Sequence, residues 1–468
     1  MHLPFQTCAV YVASPSRFYR VMKQLYANYR HHYKENFRLA YPVVISQLGH
    51  TLVQLSDSII IGHTGDVPLA AVSLGVSIFT VFLVGGLGIS YGLTPLIAQA
   101  DGGGDRPACG YFLQHSLVIN LLTGLLLCGV LMVLSYNMGF LHEPPIVATE
   151  AAPFLRLLGA SMIPLMFFQT FRQFTEGLGF TRQAMNITIV GNVINIVLGV
   201  TLVYGFKLGV VGVGIATFTD RVLMGVAMCY YVLRNQRFKP YLVGVQLKNF
   251  SRKVAWRILG IGAPVGLQSV FEVSAFSGAA IMVGWIGVAD LAAHQIAISL
   301  ASMTFMAASG ISAAAGIKSG NFLGRRNFPE LRRSAIASYH MVLLFMGCTA
   351  ILFMLLRHVL PGFYIQDPVV EPIAAHLLLI AAFFQLFDGT QVVGLGILRG
   401  MGDVKVPTVI TLFAYWGFAL PVGYWLGIQL GWGVGGIWWG LLLGLLASSV
   451  LVFIRFHFRT RRLAAAQV

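Results

Sequence analysis

The chain has 468 residues, of which 57% are apolar and only 10% charged, against roughly 25% charged in ordinary soluble domains. So few charges cannot clothe a water-facing surface of this size, which excludes a soluble globular or multidomain protein and makes lipid the solvent. A net charge of +15 would suggest nucleic acid in a soluble protein, but here its distribution is a topology signal and requires no nucleic-acid partner.

Residues 1–38 form a basic N-terminal segment expected on the cytoplasmic side. Met1 to Ser14 lack the basic start of a signal peptide and do not read as one; the basic amphipathic stretch begins near Met22, an alternative start. Hydrophobic spans follow near 39–62, 69–99, 108–134, 149–173, 183–205 and 209–233. A basic connector covers 234–257. Six more spans lie near 258–285, 290–320, 331–357, 371–398, 405–428 and 434–457, and 458–468 is a basic tail. Each span is long enough to cross a bilayer, and each must be helical, because backbone groups in lipid are satisfied only within their own segment. The expected fold is therefore an all-α membrane protein of twelve transmembrane helices. They fall into two six-helix bundles, 39–233 and 258–457, with a cleft between them.

Lys and Arg set the orientation. With the N-terminus cytoplasmic, 25 of the 31 basic residues fall on that side and only Lys207 and Arg357 on the other. Both termini are then expected to be cytoplasmic, in the cell inner (plasma) membrane. The five cysteines, Cys8, Cys109, Cys128, Cys229 and Cys348, are scattered and odd in number, which fits packing residues better than disulfides or a zinc site.

The halves repeat. A shift of 222 aligns Pro42–Ser90 with Pro264–Ser312 without a gap, with 12 of 49 positions identical. Gly62 meets Gly284 and Gly65 meets Gly287; further on, Gly177 and Gly179 meet Gly400 and Gly402 at a shift of 223. An even span count per half gives both copies the same orientation, related by an axis along the membrane normal. Rocking of such bundles about a central cleft is a transporter architecture.

An ionisable group deep in a span costs about 2.5–3.5 kcal/mol or more, so each one requires a reason. Asp57 lies in the first span near its outer end, Glu272 at middle depth in the seventh, and Asp388 at middle depth in the tenth. These three are the cation-coupling candidates; the plainer alternative is a hydrogen-bonded helix contact. In-span cations are read as clustering near helix ends, with none at matching depth. Asn192, Asn195 and Thr217 could complete a polar cluster around Asp57, and Gln268, Gln295, Gln385 and Gln391 accompany Glu272 and Asp388. Phe271, Phe276, Phe384 and Phe387 could give the cleft an aromatic wall for a lipophilic cation. Pro42 and Pro264 are candidate hinges. His50, aligned with Glu272, reads as packing, and Glu176 and Asp220, near Arg172 and Arg221, read as structural. No phosphate-binding Walker loop, H-E-x-x-H or G-x-S-x-G sits on a suitable element, which speaks against ATP coupling and an enzyme.

At these residues the chain resembles the multidrug and toxic compound extrusion (MATE) family, NorM-like branch, over roughly residues 30–460. The matching pieces are Pro42 with Leu55–Gly62, Leu69-Ala-Ala, Glu176–Gly179, Asn195, Pro264 through Glu272, Leu291–Gln295 and Leu398–Asp403. The resemblance implies an antiporter that exports cationic drugs or toxic metabolites by alternating access in exchange for Na⁺ or H⁺. No cofactor is implied, any metal is expected to be Na⁺ at Glu272 and Asp388, and the protein is expected to act as a monomer among membrane lipid. It implies a C-half cation site at Glu272 and Asp388, a role for Asp57 with Asn195, and a kink at Pro42. Two departures stand out: Phe384 replaces a tyrosine expected one turn before Asp388, and Gly199 replaces an acid seen in some members. The alternatives are a lipid-linked oligosaccharide flippase, which would want cations lining the cleft, and an intramembrane lipid-modifying enzyme, which would want Asp-rich surface motifs.

Overall fold

A computed structural model describes residues 15–141, 144–245 and 250–465. Cys8, Lys248 and the reading of Met1 to Ser14 lie outside the described residues, as do the side chains of Arg17, Arg20, Met22 and Lys23. Among the described residues all regular structure is helical. In chain order the helices are α1 (Pro15–Gly62), α2 (Asp66–Ser90), α3 (Leu93–Gly102), α4 (Arg106–Tyr136), α5 (Pro145–Gly177), α6 (Thr181–Val200), α7 (Gly209–Arg234) and α8 (Lys239–Leu242). They continue as α9 (Arg252–Gly284), α10 (Val288–Gly324), α11 (Phe328–Leu356), α12 (Val370–Gly400), α13 (Lys405–Leu412), α14 (Leu420–Tyr424) and α15 (Gly433–Ala465). Wider π turns at Thr201–Gly205, Phe413–Ala419 and Trp425–Gln429 extend α6 and join α13 and α14 into one stretch.

Eleven helical stretches among the described residues are long and apolar enough to cross a bilayer. The second half of α1 makes the twelfth; Ser46, Gln47, His50, Gln54 and Asp57 dilute its apolar character. The chain is thus a multi-pass membrane protein. Two expectations change. The second span breaks into α2 and α3 at Tyr91–Gly92. The basic N-terminal segment is continuous with the first span as one helix of 48 residues. That segment also docks. Asn36, fully buried, donates to Ser338 Oγ at 2.8 Å and to the Ser334 carbonyl at 3.2 Å, both on α11. Glu35, part-exposed, pairs with the more buried Lys318 of α10, and burying Asn36 and the Lys318 amine is tolerable because each finds a partner.

The repeat is visible in the backbone. Gly179 and Gly402, aligned in sequence, both turn with positive φ, 81° and 74°. Gly104 and Arg326 match likewise at 80° and 56°. The next residues, Asp105 and Asn327, both cap a helix, accepting from the backbone N–H of Ala108 and Glu330. Equivalent caps and turns give two six-helix lobes. The first has one apolar core, with Phe79, Leu96, Phe154, Leu158 and Phe174 buried in it. The second has two, one around Leu377, Phe384, Tyr415 and Trp438 and one around Tyr339, Val342, Leu398 and Phe456. Cys109, Cys128, Cys229 and Cys348 are free thiols.

The lobes meet toward the face where the Lys- and Arg-rich helix ends gather. A Cβ placed on Gly88 of α2 would lie 2.2 Å from the Gly266 Cα of α9, so only glycines permit this backbone approach. Nearer that basic face, Gln99 Nε2 donates to the Gly400 carbonyl at 2.9 Å. Asp101 accepts from Asn321 Nδ2 at 3.2 Å and, on its other oxygen, from Tyr241 Oη at 2.9 Å. Tyr241 belongs to the connector. Burial and the Asp101 hydrogen bond push its phenol up to about 12, so it remains a donor and ties the connector to the seam.

Candidate functional site

A cavity of about 220 Å³ lies in this seam. The α2–α3 break brings Tyr91 and Thr94 to its wall, α5 brings Arg172 and Glu176, α9 brings Gln268 and Glu272, and α12 brings Arg399. One helical turn separates Arg172 from Glu176, so the pair closes within α5: Nε donates to Oε1 at 2.7 Å. Glu176 is thus paired within its own helix on the cavity wall. Arg399 stands 5.3 Å from the centroid of the Tyr91 ring and within electrostatic reach of Glu272. Its Nε has no hydrogen-bond partner among the described residues.

Glu272 leads from the cavity into the second lobe. Tyr415, fully buried on the π turn after α13, donates to Glu272 Oε1 at 3.2 Å. Gln391 of α12 reaches the same phenol, Nε2 to Oη at 3.3 Å. Asp388 lies one turn before Gln391, is 5% exposed, and is close enough to Glu272 for their charges to interact. Both Glu272 and Asp388 therefore face protein and not acyl chains. Gln268, one turn before Glu272, is buried on the cavity wall. Gln385 is buried on the far side, accepting from Thr349 Oγ1 at 3.1 Å. Gln295 is exposed and stands off the cavity wall.

The first lobe holds a second polar cluster. Asp57 of α1 lies within electrostatic reach of Asp220 and Arg221 of α7. Asn195 of α6 donates to Thr217 Oγ1 at 3.4 Å. Arg221 donates to Ser161 Oγ at 2.5 Å and covers the Phe79 ring at 4.7 Å. Oδ1 of Asp57, of Asn195 and of Asp220 are all buried without a hydrogen-bond donor among the described residues. Asn192 is buried on the neighbouring face of α6, its Nδ2 packed on Gly49 of α1. His50 lies within reach of Arg172 and Arg221.

Three expectations are corrected by these positions. Arg221 sits at the middle of α7, and Arg399 shares the Glu272 cavity, so cations do occur beside the buried acids. The aromatic wall is not made of the four expected phenylalanines. Phe276 and Phe384 pack edge-on at 6.1 Å, with Tyr415 and Trp438 against them at 5.8 and 5.5 Å, inside the second lobe's core. Phe387 borders that core, and the Phe271 carbonyl accepts from Trp416 Nε1 at 3.2 Å; Tyr91 and Phe305 line the cavity instead. Finally, Asp220 belongs to the same charge cluster as Asp57, beyond a purely local pairing with Arg221. Pro42 is buried within an unbroken α1, and Pro264 lies within α9, its carbonyl accepting from Thr408 Oγ1 at 2.9 Å.

Tyr415, Arg399 and Arg221 are the site residues that sequence reasoning passed over. A signal existed for the first: at the shift that joins Gly179 to Gly402, Tyr415 aligns with Asn192.

The sequence model of the MatE family matches residues 42–201 and again 264–425, the two copies standing in the register of the internal repeat. The chain is 32% identical over 442 residues to the probable multidrug resistance protein NorM of Acinetobacter baylyi, covering 94% of this chain and 98% of that protein. It is 34% identical over 430 residues to the multidrug resistance protein MdtK of Yersinia pseudotuberculosis, covering 89% and 93%. Among solved structures it is similar to the eukaryotic MATE transporter AtDTX14, with a TM-score of 0.84 and 18% identity over 94% of this chain and 100% of that one. A multidrug resistance MATE family transporter of the MOP superfamily, in an outward-facing conformation, gives a TM-score of 0.86 and 21% identity over 93% and 97%.

Proposed function

The chain belongs to the MatE family, in its NorM-like branch, and from that premise we propose that it is a secondary antiporter that expels lipophilic organic cations in exchange for Na⁺ or H⁺. It is a transporter, not an enzyme. The observation that carries the proposal is the position of Glu272, on the wall of the inter-lobe cavity and hydrogen-bonded to Tyr415 at 3.2 Å, with Asp388 close behind it. A buried carboxylate pair accepts one small cation or proton readily, and two drug and ion charges poorly at once. Competition for that charge couples the two fluxes.

In the proposed cycle Na⁺ or H⁺ neutralises the pair from outside and the drug leaves. The lobes rock, the ion departs to the cytoplasm, and the vacated anions draw in a new cation. Oxygens for Na⁺ are at hand in Glu272, Asp388, Gln391 and Tyr415, the phenol supplying from a neighbouring helix what Phe384 lacks. Pro42 and Pro264 are the proposed hinges. The three donor-less oxygens of Asp57, Asn195 and Asp220 support a second cation or proton locus in the first lobe. The basic face is proposed to be cytoplasmic, with both termini there and the protein in the inner membrane as a monomer.

An oligosaccharide flippase fits less well. The cavity's Arg172 and Arg399 are balanced by Glu176 and Glu272, so it offers no net positive charge to a pyrophosphate. Dye efflux from proteoliposomes under an imposed Na⁺ gradient, and separately under an imposed pH gradient, tests the proposal. Efflux driven by neither gradient overturns it.

A further inference from the structure

A second groove, of about 380 Å³, lies away from the inter-lobe cavity, between α13 and the end of α15. Its α15 wall is one helical face: Leu451, Ile454 and Phe458 alternate with Arg455, Arg459 and Arg462 at spacings of three and four. Ile410 of α13 closes the other side. The apolar members start deeper in the span, and the arginines run out to the basic face. Leu451, Ile454 and Phe458 are 45%, 43% and 57% exposed, so the groove opens sideways toward lipid.

Asp403 is the carboxylate that faces these arginines. It takes Arg455 Nε at 2.8 Å and stands 4.0 Å from Arg459 Nε. Arg459 Nε makes no hydrogen bond among the described residues, and Arg462 is exposed. One carboxylate against three guanidinium groups leaves two positive charges at the mouth of an apolar groove. We propose that this groove is a binding site for one anionic phospholipid of the leaflet at the basic face. Its phosphate is held by Arg459 and Arg462, and an acyl chain runs along Leu451, Ile454, Phe458 and Ile410. Guanidinium groups suit a phosphate diester, to which they donate in pairs. The exposed apolar wall selects a lipid over a free phosphate, and the surplus charge selects an anionic headgroup over a zwitterionic one. The proposal rests on the membrane-spanning fold and not on the antiport reading.

The test is native mass spectrometry of the full chain in detergent, titrated with phosphatidylglycerol, with phosphatidylcholine, or with inorganic phosphate. The wild type is expected to retain phosphatidylglycerol roughly tenfold better than phosphatidylcholine, and Arg459→Gln with Arg462→Gln to abolish that preference. Asp403 keeps its bond to Arg455 in this double variant, so folding is preserved. Phe458→Ser is expected to weaken retention of both lipids while leaving the preference. Arg234→Gln with Arg237→Gln, an equal charge loss at the exposed connector, is expected to change nothing. Equal retention of the two lipids overturns the proposal. So does displacement of phosphatidylglycerol by millimolar phosphate, or loss of the preference in the connector variant as well.

Discussion

Tyr415 donates its hydroxyl proton to Glu272 Oε1 at 3.2 Å, while its oxygen lies 3.3 Å from Gln391 Nε2 and 3.4 Å from Gln391 Oε1. A phenol has one proton to give. When it points to Glu272, Gln391 Nε2 can donate to the phenol oxygen, and a chain runs Gln391 to Tyr415 to Glu272. In the proposed cycle, uptake of a proton or Na⁺ at Glu272 frees the phenol to turn to Gln391 Oε1. The tyrosine thereby links the state of the cavity carboxylate to α12, the helix that carries Asp388 and Arg399.

Tyr415→Phe should leave the lobe folded, because the ring stays packed against Phe276. It removes a hydrogen bond to a charged group, worth about 1.5–3 kcal/mol. The half-saturating concentration of the coupling ion in vesicle efflux should shift roughly 10- to 100-fold. An unchanged ion dependence would show that the phenol only packs.

Glu272→Gln and Asp388→Asn should each abolish ion-driven dye efflux, since neither leaves the pair able to take a cation and release it. Asp57→Asn should cause a partial loss, because Asp220 still faces Arg221 in the first lobe. Efflux should be measured beside the melting temperature of each variant, to separate transport loss from unfolding. Full ion-driven efflux by both Glu272→Gln and Asp388→Asn would remove the second-lobe pair from the mechanism.

The helices, the repeat and the buried acids were legible because each follows from local pattern: apolar length, aligned glycines, a carboxylate where lipid forbids one. Tyr415 and Arg399 were not. Their importance comes from which helices lie beside α9: a tyrosine within a span is commonly a packing residue, and an arginine near the end of one is commonly an interface anchor. The phenylalanines misled for a related reason. Phe276 and Phe384 each lie one turn from an acid and on the same helix face, but Tyr415 and Trp438 of neighbouring helices pack over their rings and enclose them in the lobe's core. The docking of α1 was invisible too, since Asn36 and His32 look like members of any basic tail until α11 is placed against them.

Gly88→Ala tests the seam. Its Cβ would meet the Gly266 Cα at 2.2 Å, far inside the contact distance of about 3.5–4.0 Å. The neighbour is backbone and has no side chain to move aside, so the lobes must part near the basic face. Efflux should fall, and a cysteine placed at Thr94, on the cavity wall, should become open to a membrane-impermeant thiol reagent added from that face. Labelling at the same rate with and without Gly88→Ala would mean that the seam yields without opening.

The dock of α1 should weaken in acid, and His32 is the reason. It precedes the membrane-spanning half of the helix, is 4% exposed, and lies 3.0 Å from Glu330 Oε2 of α11. Burial holds its imidazole below the ordinary value of 6.5; the Glu330 carboxylate pulls the other way, while Lys318, His31 and Arg333 add to the lowering. Because the docked form binds a proton less readily than the unfolded chain, protonation favours undocking. The stabilising contribution is complete above the ordinary histidine value and is lost as pH falls through the lowered one. Melting curves in detergent between pH 7.5 and 5.5 should therefore show stability falling with pH, and His32→Gln, which keeps polarity but cannot titrate, should flatten that slope. Asn36→Leu supplies the pH-independent comparison: it breaks the bonds to Ser334 and Ser338 and should cost about 1–3 kcal/mol at every pH. If wild type and His32→Gln lose stability in parallel, the acid sensitivity belongs to another group.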